Sequence, residues 1–258
     1  MPRIRYLLRI LYTAIAFISF GLVSLILVYI IFPMLKIKPG SSLEKEKRVQ
    51  YAIHKAFQLF FYCVQFLGLM KKEVYNQQPP PLNEAMVIVA NHPTLIDVVM
   101  LLSIIPHATC VVKHQLKKNF FLRGVVTSAG YITNTDGSTF LENCVEKLQQ
   151  GHSLIIFPEG TRSPENTLGK FKRGAARIAI SSQTRILPCL IQCSPPTLMK
   201  HQKWYCIPQK PFTLSIEFLE PISTEQYYSD TEEKMPIYAR NLTEILREFF
   251  LNKGKRNQ

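Results

Sequence analysis

Met86-Val87-Ile88-Val89-Ala90 runs without a polar side chain into Asn91-His92-Pro93-Thr94-Leu95-Ile96-Asp97. An apolar run of this length, ending at a polar corner, reads as a strand buried on both faces, since a half-exposed strand would alternate apolar and polar residues. Pro93 suits the first position of a helix, where its missing N–H is not needed, so the chain turns from strand to helix at His92. The same grammar returns at Ser153-Leu154-Ile155-Ile156-Phe157, which delivers the chain to Pro158-Glu159-Gly160-Thr161-Arg162. Thr109 to Lys113, Ile186 to Gln192 and Phe212 to Glu220 also read as strands, and Leu95 to Ile105, Thr139 to Gln150, Phe171 to Ser182 and Glu232 to Leu251 as helices. Alternation of this kind predicts an α/β fold: a mostly parallel sheet flanked by helices.

Upstream of this pattern the chain changes character. Gln77-Gln78-Pro79-Pro80-Pro81 cannot continue a helix and marks a boundary, giving a helical arm over 1–78 and the α/β domain over 79–258. Ile10 to Phe32 holds 23 residues without a charge, enough as a helix to cross about 30 Å of hydrocarbon. Arg3, Arg5 and Arg9 precede this run, and Lys36, Lys38, Lys45, Lys47 and Arg48 follow it, so both flanks look cytoplasmic. Two arrangements remain open: a helix that enters the bilayer obliquely and turns back over Pro33 and Lys36 to Ser42, or a single span. Val49 to Met70, rich in phenylalanine with polar residues interspersed, reads as an interfacial helix packed on the first. The α/β domain is thus preceded by an N-terminal two-helix membrane-embedded motif.

Composition narrows the function classes. The 258 residues carry 31 Lys plus Arg and 18 Asp plus Glu, a net charge of +13, and are 47% hydrophobic, which excludes intrinsic disorder and collagen-like chains. Residues 1 to 82 hold 11 of the basic and 3 of the acidic residues, so the excess is concentrated beside the apolar segment. That placement favours an anionic membrane surface or an acidic substrate over nucleic acid. Six cysteines without a C-x-x-C pair, and no cleavable secretory signal, indicate reduced thiols rather than a zinc site or a disulfide framework.

In parallel α/β sheets function gathers where strands end, and the two exits are chemically unusual. His92 stands at the first corner, with Asp97 five residues on. An imidazole takes a proton near neutral pH and a carboxylate fixes its tautomer, which is the logic of a general base; a structural corner histidine is the competing reading. At the second corner Gly160 allows close backbone approach and Arg162 offers a planar fork for a phosphate, with Thr161 between them. Lys170, Lys172, Arg173 and Arg177 add positive charge near the next helix start. The competing reading there is a solvated loop with a Glu159–Arg162 ion pair. His54, His107, His114, His152 and His201 have no matched partner and read as surface or structural residues. Cys110, Cys144 and Ser153 lack a nucleophile's surroundings. Trp204 and Tyr205 fall in a long loop expected to touch the interface.

Taken together, Asn-His-Pro-x-x-x-Asp after one strand and Phe-Pro-Glu-Gly-Thr-Arg after another, behind an amphipathic anchor, resemble the glycerolipid acyltransferase family, best known for 1-acylglycerol-3-phosphate acyltransferases. The resemblance covers roughly residues 83 to 220. It implies His92 as general base and Asp97 as its orienting partner, with the acceptor held by Glu159, Gly160, Thr161 and Arg162, assisted by Lys172 and Arg173. It also implies direct attack on an acyl thioester, with acyl carrier protein or coenzyme A as the carrier and no cofactor or metal. Leu187-Pro188 resembles the family's fourth block, and Gly130-Tyr131-Ile132-Thr133-Asn134 through Asp136 its second.

The second block departs from the family. Members acting on lysophosphatidic acid usually end it with Arg, and this sequence has none from Gly130 to Thr139. A charged contact to phosphate is worth about 1.5 to 3 kcal/mol. Lys113, Lys117, Arg123, Lys172 or Arg173 would have to replace it, or the acceptor is another lysolipid, such as an aminoacyl lipid. A membrane-anchored lipid-binding partner without turnover is the reading from a different class. The topology implied is a membrane enzyme on the cytoplasmic face, most readily of a bacterial inner membrane, whose partners are membrane lipids and the acyl thioester and not nucleic acid.

Overall fold

The computed structural model describes residues 2–75, 84–134, 139–164, 168–228 and 232–256. Seven strands form one sheet: β1 (Met70–Tyr75), β2 (Val87–Ala90), β3 (Ala108–Val112), β4 (Ile132–Thr133), β5 (Ser153–Ile156), β6 (Ile186–Ser194) and β7 (Phe212–Phe218), in the order β1-β7-β6-β2-β5-β3-β4. All neighbours run parallel except β6 and β7. The helices are α1 (Pro2–Ile26), α2 (Phe32–Ile37), α3 (Ser42–Phe66), α4 (Asp97–Leu102), α5 (Gln115–Lys118), α6 (Arg123–Ser128), α7 (Thr139–Gln149), α8 (Gly174–Ser181) and α9 (Met235–Arg256). The expected mostly parallel α/β sheet flanked by helices is therefore the observed one.

Both faces of the sheet are covered, which is why its central strands read as continuous apolar runs. Val87 and Val89 join Leu154, Ile156 and the helices α7, α8 and α9 in one buried cluster. Ile88 and Ala90, one pleat away, join Ile155, Leu187 and α4 in another. Phe61 and Val64 of α3 are buried in that second cluster. The arm is thus also one layer of the α/β core.

The sheet takes an edge strand from the N-terminal side of the expected division at 78/79. Met70–Tyr75 pairs in parallel with β7 over six residues. The proline-rich boundary at 77–81 lies outside the described residues. α3 also begins earlier than the expected Val49. Ser41 and Glu44 form a capping box, the Ser41 hydroxyl accepting from the Glu44 N–H at 3.2 Å and the Glu44 carboxylate from the Ser41 N–H at 2.7 Å. Gly68, at φ 66°, ends the helix: the Leu69 N–H donates to the Val64 carbonyl, as in a Schellman motif.

The apolar arm continues through Pro33. Leu27–Ile31 widens into a π turn, where the Phe32 N–H donates to the Leu27 carbonyl five residues back. That wider turn relieves the clash a proline ring makes with the preceding turn of an α-helix. Together α1, the π turn and α2 form a rod of about 54 Å, and both of its ends are tied to the α/β domain. Arg9 donates to the carbonyls of Gly68, Leu69 and Lys210, and Lys36 to the Ser128 hydroxyl. Ile4, Leu7, Leu11, Ile15, Ile18 and Leu22 project outward as an exposed stripe at helical spacing.

Candidate active site

β2 ends at Ala90, and Asn91 prolongs its pairing with β6 by side chain: the amide donates to the Ile191 carbonyl at 2.8 Å and accepts from the Ile191 N–H at 2.7 Å. This fixes the corner that carries His92. Asp97, at the start of α4, turns back and accepts from His92 Nδ1 at 2.8 Å, from the Thr94 N–H at 2.7 Å, and from the Thr94 hydroxyl. Asp97 is fully buried, whereas the His92 side chain keeps 20% exposure. Burial pushes the Asp97 carboxyl above its ordinary range, against the lowering effect of the His92 and Thr94 hydrogen bonds. The His92 ring stacks on Phe157 at 4.2 Å between centroids. With Nδ1 committed to Asp97, Nε2 is the ring nitrogen left for chemistry.

The second exit meets the first through Glu159. Its Oε1 accepts from the His92 N–H at 3.1 Å and the Ser163 hydroxyl at 2.7 Å, and its Oε2 from the Gly169 N–H at 2.9 Å. The Ser163 N–H in turn donates to the His92 carbonyl at 2.7 Å. Glu159 is 6% exposed, so its carboxylate is a hub joining three backbone segments. Gly160 adopts φ 68°, and the Lys172 ammonium lies 2.9 Å from where a Cβ would stand. A side chain at 160 would displace it. Arg162 donates through Nη1 to the carbonyls of Leu198 at 3.0 Å and Met199 at 2.9 Å, which holds the loop after β6 over the site. The Glu159–Arg162 ion pair of the competing surface-loop reading is not among the contacts of either residue.

A cavity of about 1060 Å³ opens at His92. Toward the arm it is lined by Phe17 and Phe20 of α1 and Phe57 and Phe60 of α3; deeper in the domain by Val111, Val126 and Tyr131. Thr161, Arg162 and Lys172 reach it, as do Lys113, Asn134, Lys200 and His201. Arg173, by contrast, caps α8 and lies exposed off the lining, as do Lys117 and Arg123. Among the described residues no three His, Cys, Asp or Glu side chains gather as metal ligands. Asp136 of the second block lies outside the described residues. The sequence reading missed the roles of Asn91, Thr94, Phe157 and Ser163. Each sits within or next to the two quoted motifs, but its partner is distant in sequence or hidden in a turn.

A histidine paired with a buried carboxylate thus lies on the lining of a large cavity rich in apolar side chains. Residues 71–192 match the family model described as Acyltransferase. The chain is 26% identical over 181 residues to the 1-acyl-sn-glycerol-3-phosphate acyltransferase alpha of Ovis aries, covering 66% of this chain and 61% of that one. It is 36% identical over 115 residues to the 1-acyl-sn-glycerol-3-phosphate acyltransferase of Helicobacter pylori, covering 42% of this chain and 48% of that one. The chain thus spans about three fifths of the length of the mammalian curated relatives it matches. The fold is that of the crystal structure of the 1-acyl-sn-glycerophosphate (LPA) acyltransferase PlsC from Thermotoga maritima, at a TM-score of 0.68 and 21% identity, over 96% of this chain and 98% of that one.

Proposed function

We propose that this protein is a membrane-associated O-acyltransferase that moves a fatty acyl group from a thioester to a lysolipid hydroxyl. The observation that carries the reading is the His92–Asp97 pair at the mouth of the apolar cavity. His92 Nε2 takes the proton of the acceptor hydroxyl as its oxygen attacks the thioester carbonyl, and Asp97 stabilises the imidazolium that forms. The new C–O ester bond replaces the C–S bond, and the departing thiolate receives the proton back from His92. The donor is acyl carrier protein or coenzyme A loaded with the acyl chain; no acyl-enzyme forms.

The acceptor is 1-acylglycerol-3-phosphate and the product phosphatidic acid. Supporting this are the matched relatives and the cations Lys113, Lys172 and Lys200 on the cavity lining, which stand in for the Arg absent from the second block. That absence favours a second acceptor reading, a lysolipid without a phosphomonoester. The arm lies in the cytoplasmic leaflet of the membrane, a bacterial inner membrane, along its exposed stripe rather than crossing it. A rod tied at Arg9 and at Lys36 to one domain has no free end to carry to the other side.

The test is transfer from a labelled acyl thioester, by detergent-solubilised protein, to lysophosphatidic acid and to a lyso-aminolipid, with His92→Ala as control. Transfer to lysophosphatidic acid that His92→Ala abolishes is the expected result. Transfer only to the aminolipid selects the second acceptor, and transfer that survives His92→Ala overturns the mechanism.

A further inference from the structure

α1 does not meet the bilayer alone. Two loops of the α/β domain reach it within one helical turn of each other. Phe121 packs 3.6 Å from where a Gly21 side chain would begin, and the Trp204 ring lies 6.2 Å from the Phe17 ring, edge to face. Residues 17 and 21 share one face of α1, so the loops flank the same stretch of helix. Ile18 and Leu22 of the outward stripe lie one residue further on, about 100° around the helix.

Both loops are built alike. Phe120 and Phe121 are 56% and 46% exposed, and Trp204 and Tyr205 are 43% and 42% exposed. Each aromatic pair has a cation over it: Arg123 at 5.6 Å from the Phe120 ring and Lys203 at 5.7 Å from the Tyr205 ring. From Val98 to Thr135 the chain holds no acidic residue, and Lys117 and Lys118 precede the first pair. Exposed aromatics beside cations, with no acid near, match a bilayer interface, where rings settle at headgroup level and cations meet anionic headgroups. Leu122 from one loop, with Leu116 of the preceding α5, and Lys200 and Ile207 from the other also line the cavity that holds His92.

We infer that the Phe120–Arg123 and Lys200–Ile207 loops are a second membrane contact, and that the gap between them, beside Phe17 and Gly21, is the portal through which the lysolipid enters from the leaflet. The inference rests on the membrane-associated reading above and names how the lipid reaches its site. Charge complementarity and continuity with the apolar stripe commit the occupant to an anionic lipid surface.

Trp204 is the only tryptophan in the chain and therefore a built-in probe. The full chain is bound to vesicles of phosphatidylcholine and phosphatidylglycerol carrying lipids brominated either near the carbonyl or near the methyl end of the acyl chain. Trp204 emission shifts to the blue and is quenched more by the shallow bromines. If sedimentation shows the protein bound while Trp204 emission stays unshifted and unquenched, the inference is overturned. This readout needs no turnover, so it fails or succeeds independently of the acyltransferase reading.

A second variant, Phe120→Ser with Phe121→Ser, changes exposed side chains. Transfer to vesicle-resident lysolipid falls about tenfold as two rings leave the interface, while transfer in detergent micelles stays within about twofold. Equal losses in vesicles and micelles overturn the portal. An unquenched Trp204, with a loss seen only when acyl carrier protein is the donor, assigns the loops to the carrier and overturns it too.

Discussion

Asp97→Asn separates the charge of this carboxylate from its part in holding the fold. In the native site Asp97 only accepts, which fixes the His92 proton on Nδ1 and leaves Nε2 with its lone pair. One carboxylate oxygen, Oδ2, accepts from both His92 Nδ1 and the Thr94 N–H, so an asparagine of the same shape keeps both bonds with its amide oxygen there and donates its NH2 group to the Thr94 hydroxyl. The imidazole keeps its tautomer, and what is lost is the negative charge that stabilises the imidazolium formed when Nε2 takes a proton. The expected loss in kcat is about a hundred- to ten-thousandfold, or about 3 to 5.5 kcal/mol in the barrier. Stability responds in the other direction. Burial raises the Asp97 pKa, so above its ordinary range the ionised form weighs against the fold, and a neutral amide removes that cost. Asp97→Asn should therefore melt no lower than the native protein at neutral pH. Asp97→Ala, which leaves the buried Thr94 N–H without its acceptor, should lose about 1 to 3 kcal/mol. Acyl transfer in mixed micelles and thermal unfolding in the same detergent measure both. An Asp97→Asn enzyme within threefold or so of native kcat would refute the charge-stabilisation argument.

Arg162→Ala removes the Nη1 donor that holds the carbonyls of Leu198 and Met199. Trypsin cleavage at Lys200 and Lys203 should accelerate and kcat/KM fall about ten- to a hundredfold, and unchanged cleavage would show that the loop is held otherwise. Gly124→Ala drives a Cβ into both methyls of Val28 in the π turn, so despite a helix gain of up to about 1 kcal/mol it should destabilise by about 1 to 3 kcal/mol; adding Val28→Ala should recover part of the melting temperature, the residue 28 Cβ still lying 3.1 Å away. His152 is buried against Gln50, and burial, with Lys147, Lys47 and His107 nearby, lowers its pKa from 6.5 to about 4. The unfolded chain then binds the proton first, so stability falls as pH drops from about 6.5 through 4, by roughly 2 to 3 kcal/mol. Melting curves across that range should flatten in His152→Gln.

Strands β2 and β5 were legible because a strand covered on both faces needs no polar residue, and their apolar runs stand out in the chain. Strand β1 was not. Met70-Lys71-Lys72-Glu73-Val74-Tyr75 lies at a sheet edge where every residue but Met70 keeps partial or full exposure, so charges are tolerated and the sequence there resembles the frayed end of a helix. The start of α3 carried a readable signal in Ser41 and Glu44, which the phenylalanine pattern further along outweighed. His92 and Asp97 were legible as a pair because a strand-to-helix corner brings residues five apart together through local geometry alone.

Local pattern thus determined the layer architecture, the two strand exits and the apolar arm, since each depends on residues within a turn or two of one another. Tertiary structure decided what those parts touch. Glu159 joins His92, Ser163 and Gly169, Arg162 grips carbonyls 36 and 37 residues away, and the cavity exists only where α1 and α3 close over the sheet. Such contacts depend on the distance between segments that the sequence keeps far apart, and only the packed sheet, by burying both faces at once, sets that distance.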